Sequence, residues 1–362
     1  MKILVAMSGG VDSSVAAAEL LRVGHDVVGV TMRLWGGESD TGCCSVSDVD
    51  DARRVAQQLG IDHLVFNFAD EFNDRVVTPY VDAHAAGVTP NPCVECNRHL
   101  KFDRLLQRAE VLGFDAVATG HHARIDVDAN GVRRVRRGVD AAKDQSYVVH
   151  MLDAHALRMI TFPVGSMTKA DVRERARVLG LRTADKPDSQ DVCFITHSGG
   201  REAFLGERIP LRRATVVDES GGSLGEIDAV ELVTIGQRRG LSLPGGAPKQ
   251  YVVDVDVEAR VVTVAPPHRL LDESFVVDDV AWSDAPPTGP VNVQSSAHGR
   301  TSLARVETLN DGTARVLWET PQRRIAPGQS VVFYDVGDEF VLGGGKAGAS
   351  RLRSRVKTAH LR

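Results

Sequence analysis

Residues 2–24, "KILVAMSGGVDSSVAAAELLRVG", are the most informative segment of this 362-residue chain. The apolar run "KILVAM" predicts a buried strand, and "SSVAAAELLRVG" predicts a helix that ends at Gly24. A short turn rich in glycine and serine joins the two. A strand that passes directly into a helix in this way predicts the first unit of a parallel α/β sheet.

The turn itself, "SGGVDSS" (Ser8 to Ser14), has the chemistry of a phosphate site. Its glycines let the backbone approach a phosphate closely, and the amides at the new helix start point towards an anion. Serine hydroxyls add donors, and Asp12 suits a magnesium ion. The turn also follows the carboxyl end of a strand, where open α/β sheets bind ligands. It matches neither the Walker A nor the dinucleotide pattern. A plain serine-capped turn is the alternative.

The rest of the first half alternates strands and helices. Hydrophobic patterns predict strands over 26–35, 63–68 and 115–125, and helices over 47–60, 102–113 and 167–181. Ser47 is a candidate N-cap, and Thr168 with Asp171 forms a candidate capping box. This alternation predicts a parallel sheet covered by helices on both faces.

Beyond residue 200 the long helical patterns stop, and valine-rich segments alternate with Gly, Pro and Asp turns, which predicts β structure. Proline-rich segments between 265 and 290 mark a further boundary. We therefore expect an α/β parallel-sheet domain over 1–200, a small central β-rich domain over 201–275, and a C-terminal β-barrel with a basic tail over 276–362.

Composition is that of an ordinary globular protein, with 43% hydrophobic and 25% charged residues. No apolar run is long enough for a membrane span, and the N-terminus lacks the features of a signal peptide. We therefore expect a cytoplasmic protein with reduced cysteines. The net charge of −5 does not indicate a nucleic-acid binder. "RRVRRG" (133–138) and the basic tail from Ser350 are interpreted as a solvated hairpin and a frayed end, which leaves the partner open.

Five cysteines offer several chemistries. Cys93 and Cys96 form a C-x-x-C pair in a predicted loop, "PNPCVECN", and Cys193 lies in "DSQDVCFI". Structural zinc usually needs a second such pair, which the adjacent histidines 121 and 122 poorly replace. Cys43 and Cys44 are interpreted as buried, inert thiols. From the residues alone, a redox pair, a cluster ligand set and a nucleophile all stay open.

The turn resembles the PP-loop of adenylating ATP pyrophosphatases. Further strings extend the resemblance: "TPNPCVECNRHLKFDRLL", "TGHHARI", "GVDAAKDQSYVV", "KPDSQDVCFI", "TIGQRRGL" and "IAPGQSVVFYDVGDEFVLGGG". Together with "AMSGGVDSS" they resemble the bacterial tRNA-specific 2-thiouridylases, in the family's order, from the first strand to about Gly345. The resemblance implies a PP-loop nucleotide domain, a short central domain and a C-terminal β-barrel.

The resemblance also implies roles by position. Cys96 matches the nucleophilic cysteine of the family, and Cys193 matches the cysteine that carries a persulfide. The positions implied for ATP are Ala6, Met7, Ser8, Gly9, Gly10, Val11, Asp12, Ser13, Met32 and Gly120. Those implied for tRNA are Asn91, Pro92, Cys93, His121, Lys143, Asp144, Gln145 and Gln329.

The implied reaction is transfer of sulfur to carbon 2 of the wobble uridine in tRNAs for Glu, Gln and Lys. ATP with Mg²⁺ would first adenylate the oxygen of a flipped base, releasing pyrophosphate. Sulfur would then come from a persulfide on Cys193, supplied by a cysteine desulfurase or a sulfur-relay protein. Either its terminal sulfur attacks directly, or Cys96 releases sulfide from it. Both schemes leave a Cys96–Cys193 disulfide that must be reduced.

Two departures from the family keep alternatives open. Many members have aspartate at the position of Cys93, and a third thiolate beside Cys96 and Cys193 would suffice to hold a 4Fe–4S cluster that binds sulfide. The segment "VQSSAHGR" (293–300) lacks an arginine–tyrosine string common in the family, and the tail lies outside the resemblance. Rival classes are an amide-forming adenylating ligase, and a tRNA-binding or iron–sulfur carrier protein without turnover.

Overall fold

The computed structural model describes residues 1–35, 46–188, 192–195, 199–243, 249–309 and 312–349. The first part of the chain contains strands β1 (Lys2–Ala6), β2 (Asp26–Arg33), β3 (His63–Asn67), β4 (Ala116–Thr119), β5 (Ala123–Val127), β6 (Arg133–Arg137) and β7 (Ile160–Thr161). Five of them form one parallel sheet in the order β3-β2-β1-β4-β7. The predicted parallel sheet is confirmed.

Helices cover both faces of this sheet. They are α1 (Val11–Arg22), α2 (Val46–Leu59), α3 (Ala69–Phe72), α4 (Thr78–Ala85), α5 (Pro92–Cys96), α6 (Leu105–Val111), α7 (Ala154–Met159) and α8 (Lys169–Val178), and α9 (Gly200–Gly206) follows the sheet. π-helical segments, Asn73–Val77 and Asn97–Arg104, join α3 to α4 and α5 to α6. The capping box is confirmed, because Thr168 Oγ1 accepts from the Asp171 amide while the Asp171 carboxylate accepts from the Thr168 amide.

Strand β1 shows why both faces need cover. Its alternate residues point to opposite sides, so Ile3 and Val5 join one hydrophobic cluster with α1, α2 and α8, while Leu4 and Ala6 join a second cluster with the helices on the other face. All four residues are buried. Burial on both faces explains the continuous apolar run in the sequence, which is typical of a central parallel strand.

Three local predictions were wrong. The segment "PNPCVECN" is not a loop but the start of a helix, because Asn91 caps it and Pro92 occupies a first-turn position where its missing N–H costs nothing. The predicted strand over 115–125 ends at Thr119, and the chain re-enters a different, two-stranded sheet at Ala123. Helix α2 begins at Val46, which places Ser47 inside its first turn.

The second half is β structure, as predicted. Strands β8 (Ala214–Val217), β9 (Ser223–Ile227), β10 (Tyr251–Asp256) and β11 (Val261–Ala265) form a sheet in the order β10-β11-β8-β9. A closed barrel follows, built from β12 (Leu271–Trp282), β13 (Pro290–Gln294), β14 (Ser302–Thr308), β15 (Ala314–Arg323), β16 (Ser330–Tyr334) and β17 (Val341–Ala347). The expected domain limit between 275 and 276 falls inside β12. The basic tail from Ser350 lies outside the described residues.

The arginine-rich hairpin β5–β6 is solvated only in part, because Arg133 is exposed whereas Arg134, Arg136 and Arg137 are buried or half-buried. Arg134 is buried, and its Nε donates to Asp128 at 2.7 Å. Arg136 pairs with Glu339 at 2.5 Å, and the Arg137 guanidinium lies 3.8 Å from the centre of the Tyr334 ring. Asp128 lies in the hairpin itself, whereas Glu339 and Tyr334 are distant in sequence and contact the arginines only because the barrel docks against the hairpin. Among the described helices, none is long and apolar enough to cross a membrane.

Candidate active site

The phosphate loop folds back over the start of α1. Gly9 has a φ of 71°, in the left-handed region that favours glycine. The Ser8 amide donates to Ser13 Oγ at 3.2 Å, and Ser14 Oγ donates to the Gly10 carbonyl at 2.8 Å. Gly10 occupies the N-cap position without a side chain, so the first-turn amides of α1 are left facing the loop. This arrangement suits an anionic ligand.

Gly120 brings the end of β4 against the same helix start. A Cβ at Gly120 would lie 2.6 Å from the Ser13 amide nitrogen and 2.8 Å from the carbonyl carbon of Asp12. Because β2 and β4 flank β1 on opposite sides, this is the point where the strand order reverses, and open sheets bind ligands there. The structure therefore brings Gly120 and the loop together. Of the remaining positions implied for ATP, the structure buries Ala6, Met7 and Met32 at the adjoining strands.

Asp12 is the electrostatic centre of the loop. Lys169 Nζ donates to its two oxygens at 2.8 and 2.7 Å, and His122 Nε2 lies 3.0 Å from Oδ1. Burial raises the pKa of Asp12, but the hydrogen bonds from His122 and Lys169 outweigh it and hold the pKa below its ordinary value. The carboxylate is therefore ionised at neutral pH, and a cation from α8 lies beside it.

Further charges surround the loop. Asp188 accepts from Lys169 and Lys143, each at 2.8 Å. Burial raises the pKa of Asp188, but hydrogen bonds from these two lysines dominate and lower it to about 2. Lys186 Nζ donates to the Gly9 carbonyl at 3.1 Å and to Asp48 at 2.6 Å. The lysines around the loop are thus each paired with carboxylates.

The sequence reasoning missed His122, Lys169, Lys186 and Asp188 as members of this site. Lys169 did carry a signal, because a lysine in the first turn of a helix is unfavourable next to the positive end of the helix dipole. Asp12 and Asp188 compensate it here. Lys186 and Asp188 fall in the string "KPDSQDVCFI", which had been read only for its cysteine.

The cysteine pair lies on α5. Asn91 Oδ1 accepts from the amides of Cys93 and Val94 at 3.2 and 3.3 Å, which fixes the start of the helix. Cys93 is exposed, and Cys96, three residues further along the helix, is buried. Cys96 belongs to the hydrophobic cluster under this face of the sheet, and the half-buried Cys193 packs against the same cluster.

A group of aromatic rings packs around Phe194, the residue after Cys193. The ring of Phe194 lies 5.4 Å from that of Tyr80 in α4, 5.7 Å from Phe72 and 5.1 Å from Phe204, measured between centroids. Edge-to-face contacts of this kind add to the area that the rings bury. Cys96 and Cys193 thus both contact the large hydrophobic cluster on this face of the sheet, although they are distant in sequence. Cys43 and Cys44 lie outside the described residues.

The three thiols do not form a ligand set. Among the residues that the structure describes, no three His, Cys, Asp or Glu side chains are grouped so that they could hold a metal ion. A cluster would need thiolates converging on one point. Cys93 is exposed, Cys96 is buried and Cys193 is half-buried, and the three do not form such a group in the described part of the chain. As they are arranged here, these residues do not fit a 4Fe–4S cluster.

Several positions implied for tRNA face inward. His121 is buried, with Nδ1 2.6 Å from Thr119 Oγ1 and its ring 5.7 Å from both Phe102 and Phe162. Burial lowers its pKa well below the ordinary value, so the ring is neutral. Gln329 in the barrel donates to the Thr89 carbonyl at 2.5 Å. Pro92 is buried, Cys93 is exposed, and Asn91, Lys143, Gln145 and Gln329 are half-buried.

The chain leading into α5 is clamped by both β domains. The Thr89 amide donates to the Pro327 carbonyl of the barrel at 3.1 Å, and Thr89 Oγ1 lies 3.1 Å from Thr234 Oγ1 of the central domain. His84 at the end of α4 meets the Glu231 carbonyl at 3.2 Å. The position of the cysteine helix therefore depends on all three parts of the chain.

Comparisons with known proteins cover nearly the whole chain. Family models match it in three consecutive parts: a tRNA methyl transferase HUP domain over 1–197, a tRNA methyl transferase PRC-barrel domain over 202–266 and an aminomethyltransferase beta-barrel domain over 272–347. A Mycolicibacterium gilvum protein named tRNA-specific 2-thiouridylase MnmA is 49% identical over 355 residues, covering 94% of this chain and 98% of its own. A Chloroflexus aurantiacus protein of the same name is 46% identical, covering 95% and 97%.

Similarity to solved structures is much weaker. The U34-tRNA thiolase NcsA from Methanococcus maripaludis, solved with its 4Fe–4S cluster, is 19% identical with a TM-score of 0.34 and covers 57% of this chain and 62% of its own. A similarity of this size supports no conclusion about the chemistry of this chain.

Proposed function

This chain belongs to the tRNA-specific 2-thiouridylase family, and from that premise we propose how its residues divide the reaction. It is an ATP-dependent tRNA sulfurtransferase. The assignment of steps rests on one observation: the same domain holds a phosphate loop at the β1–α1 turn and two cysteines, Cys96 and Cys193, that contact one hydrophobic cluster. Activation of the base and delivery of sulfur thus fall to neighbouring parts of the same sheet.

The nucleotide half of the site activates the acceptor. ATP binds along the loop from Ala6 to Ser13, with Met32 and Gly120 bordering the adenosine. The oxygen on carbon 2 of the wobble uridine attacks the α-phosphorus, which forms an adenylate and releases pyrophosphate. Lys169 offers a cation near the phosphates. Mg²⁺ would enter with ATP, and Asp12, ionised at neutral pH, is the carboxylate available to it once Lys169 turns to the phosphates.

The sulfur half completes the reaction. Cys193 carries a persulfide, whose terminal sulfur attacks carbon 2 and displaces AMP, while the Cys96 thiolate attacks the sulfur of Cys193 and forms a Cys96–Cys193 disulfide. In the second scheme, Cys96 attacks first and frees sulfide, which then displaces AMP. A dithiol reductant restores both thiols. Contact of both residues with one hydrophobic cluster supports either order. The cluster-based route is less well supported, because the thiols do not converge.

The tRNA and its partners follow from the reaction. We propose the glutamate, glutamine and lysine tRNAs as substrates, contacted at Asn91, Cys93, Lys143 and Gln145, and a cysteine desulfurase or sulfur-relay protein as donor of the persulfide. These partners act in the cytoplasm, which is the location we propose. We also propose three domains, with a first unit over 1–200, a central unit from 201 and a barrel that begins with β12 at Leu271.

The test is formation of 2-thiouridine. Anaerobically purified protein is incubated with Mg-ATP, unmodified glutamate tRNA, cysteine and a cysteine desulfurase, and the nucleosides are analysed by mass spectrometry. The iron content of the same preparation is measured. Cys96→Ala and Cys193→Ala should each abolish the product, whereas Cys93→Ala should retain it.

Two outcomes would redirect the proposal. Product that requires iron, and that is lost in Cys93→Ala as well as Cys96→Ala, would establish the cluster route instead. Absence of product with both persulfide and sulfide donors, while pyrophosphate is released, would indicate a different acceptor group.

A further inference from the structure

The two cysteines of α5 differ in their access to solvent. Cys93 is exposed, whereas Cys96 is only 7% exposed and belongs to the large hydrophobic cluster. Cys193 is half-buried and packs against the same cluster. Both sulfur-transfer schemes leave a disulfide between Cys96 and Cys193, and this bond would therefore join one buried thiol to one half-buried thiol.

Access to the sulfur atoms limits how such a bond is reduced. In thiol–disulfide exchange a thiolate attacks one sulfur of the bond, so the rate depends on the accessibility of that sulfur. A small dithiol can enter a narrow space, but the thiolate of a dithiol protein is fixed to a large surface. The hydrophobic cluster around Cys96 shields that sulfur from such a protein. An exposed thiol beside Cys96 would remove this restriction.

Cys93 has the position that this role requires. It precedes Cys96 by three residues within α5, and Asn91 Oδ1 fixes the first turn by accepting from the amides of Cys93 and Val94 at 3.2 and 3.3 Å. In helical geometry, residues three apart have Cα atoms about 5 Å apart, within the range of about 4.4–6.8 Å that disulfides span. The two cysteines of α5 are therefore spaced for a disulfide with each other.

Cys93 also lies near the aromatic rings that pack around Phe194. Burial raises the pKa of the Tyr80 hydroxyl, Arg201 lowers it, and charge on Cys93 raises it, so the thiol and the guanidinium both act on one hydroxyl. The Tyr80 ring lies 5.4 Å from that of Phe194, the residue after Cys193. A nearby cation favours the thiolate form of a cysteine, and Arg201 supplies that charge here.

We propose that Cys93 is a resolving thiol, which moves the disulfide of the oxidised enzyme to an exposed position. The Cys93 thiolate attacks the sulfur of Cys96, the Cys96–Cys193 bond breaks, and Cys193 leaves as a thiolate. An external dithiol protein of the thioredoxin class then reduces the Cys93–Cys96 disulfide, and its own two thiols become a disulfide. The first step is an exchange without net oxidation, and the second supplies two electrons. The inference rests on the proposed function in taking the Cys96–Cys193 disulfide as a product of each turnover.

The substitution Cys93→Ser removes the thiol and keeps nearly the same size and polarity. Formation of 2-thiouridine by the wild type and by the variant is followed with Mg-ATP, glutamate tRNA, a cysteine desulfurase and limiting cysteine. One series contains thioredoxin, its reductase and NADPH, and a second contains dithiothreitol instead. The first turnover, which precedes any reduction of the enzyme, is measured separately. The dithiothreitol series is the matched control, because a small dithiol does not need the exposed thiol.

The resolving role predicts a defect that depends on the reductant. Both proteins should form the same amount of product in the first turnover, and their steady-state rates should agree within about 2-fold with dithiothreitol, whereas the rate of Cys93→Ser should fall about 10-fold or more with thioredoxin. Equal rates with thioredoxin would overturn the proposal. An equal loss of rate with both reductants would also overturn it, because it would assign Cys93 to binding of the tRNA instead.

Disulfide mapping gives a second readout that needs neither tRNA nor ATP. The reduced full-length protein is oxidised with one equivalent of diamide, alkylated, digested without reduction and analysed by mass spectrometry. The wild type should contain a Cys93–Cys96 disulfide and alkylated Cys193, whereas Cys93→Ser should contain a Cys96–Cys193 disulfide. A wild type that contains only the Cys96–Cys193 bond would contradict the proposal. Failure of the wild type to form 2-thiouridine in the first turnover would bear on the proposed function alone.

Discussion

Lys346 on the last barrel strand forms an ion pair with Glu95, at 3.2 Å, and Glu95 lies on α5 between Cys93 and Cys96. The barrel therefore contacts the very turn of helix that carries the proposed nucleophile. Glu95 also lies 3.3 Å from His99 and 3.9 Å from Arg98. The pair is half-buried, so its effect on overall stability is small, while its effect on the orientation of α5 is direct.

Lys346→Gln should therefore slow thiolation more than it destabilises the protein. We expect the rate of 2-thiouridine formation to fall about 5-fold, equivalent to about 1 kcal/mol of misorientation, with nucleotide affinity unchanged. Lys346→Arg should restore most of the rate, because it keeps the charge. Arg177→Gln, which removes an exposed pair with Glu174 on α8, is the control. Equal rates for Lys346→Gln and wild type would show that the barrel does not position α5.

Gly120→Ala should disrupt the nucleotide site without disturbing the cysteines. The new Cβ would lie 2.6 Å from the Ser13 amide nitrogen, so the loop and the end of β4 must separate. Overpacking of this kind costs about 1–3 kcal/mol, and we expect nucleotide affinity to fall about 10-fold or more. Gly289→Ala is the matched control, since its added Cβ meets no described atom within 4 Å. Isothermal titration with a non-hydrolysable ATP analogue measures both, and normal affinity in Gly120→Ala would refute the contact.

The contribution of Asp188 to the free energy of unfolding should decrease in acid. Its lysine partners lower its pKa in the folded protein to about 2, below its ordinary value of 3.8. The contribution is therefore fully present above the unfolded value and is lost as pH falls towards 2. In urea titrations, the free energy of unfolding of the wild type should exceed that of Asp188→Asn by a constant amount from pH 6 to about 4.5. This difference should become smaller below about pH 4. Asp185 is exposed, so Asp185→Asn should have nearly the same free energy of unfolding as the wild type at every pH. A margin that widens on acidification would contradict the sign.

Arg134→Met should be among the most destabilising single changes in the β5–β6 hairpin. Arg134 and Asp128 have side chains only 7% and 10% exposed, and removing the cation leaves Asp128 charged and poorly solvated. We expect a loss of about 3 kcal/mol, measured by urea unfolding. Arg136→Met, two positions along the same strand, should cost less than about 1 kcal/mol, because both its partners are 50% exposed. Similar losses for the two variants would mean that burial does not decide their contributions.

The periodicity of the sequence predicted the parallel sheet well, since the strands that the patterns indicate at 2–7, 26–35 and 63–68 coincide with β1, β2 and β3 to within a few residues. Burial on both faces leaves a continuous apolar run that few other environments produce. The start of α5 was missed for a local reason. Proline and cysteine contribute little helical periodicity, so the cap at Asn91 and the first-turn Pro92 were the signals of the helix start.

The sequence by itself determined the class of the protein and the chemistry it can perform. Both can be predicted from short local segments, such as the loop from Ser8 to Ser14 and the segments around the cysteines, whose residue types and spacing are visible without any long-range contact. Only the tertiary structure decided which side chains face inward. The arginines of β6 read as a solvated basic patch, until docking of the barrel brought Gln294, Tyr334, Asp338 and Glu339 against Arg136 and Arg137. Charges are buried only where partners compensate them, and those partners are distant in sequence, so no local pattern can reveal the burial.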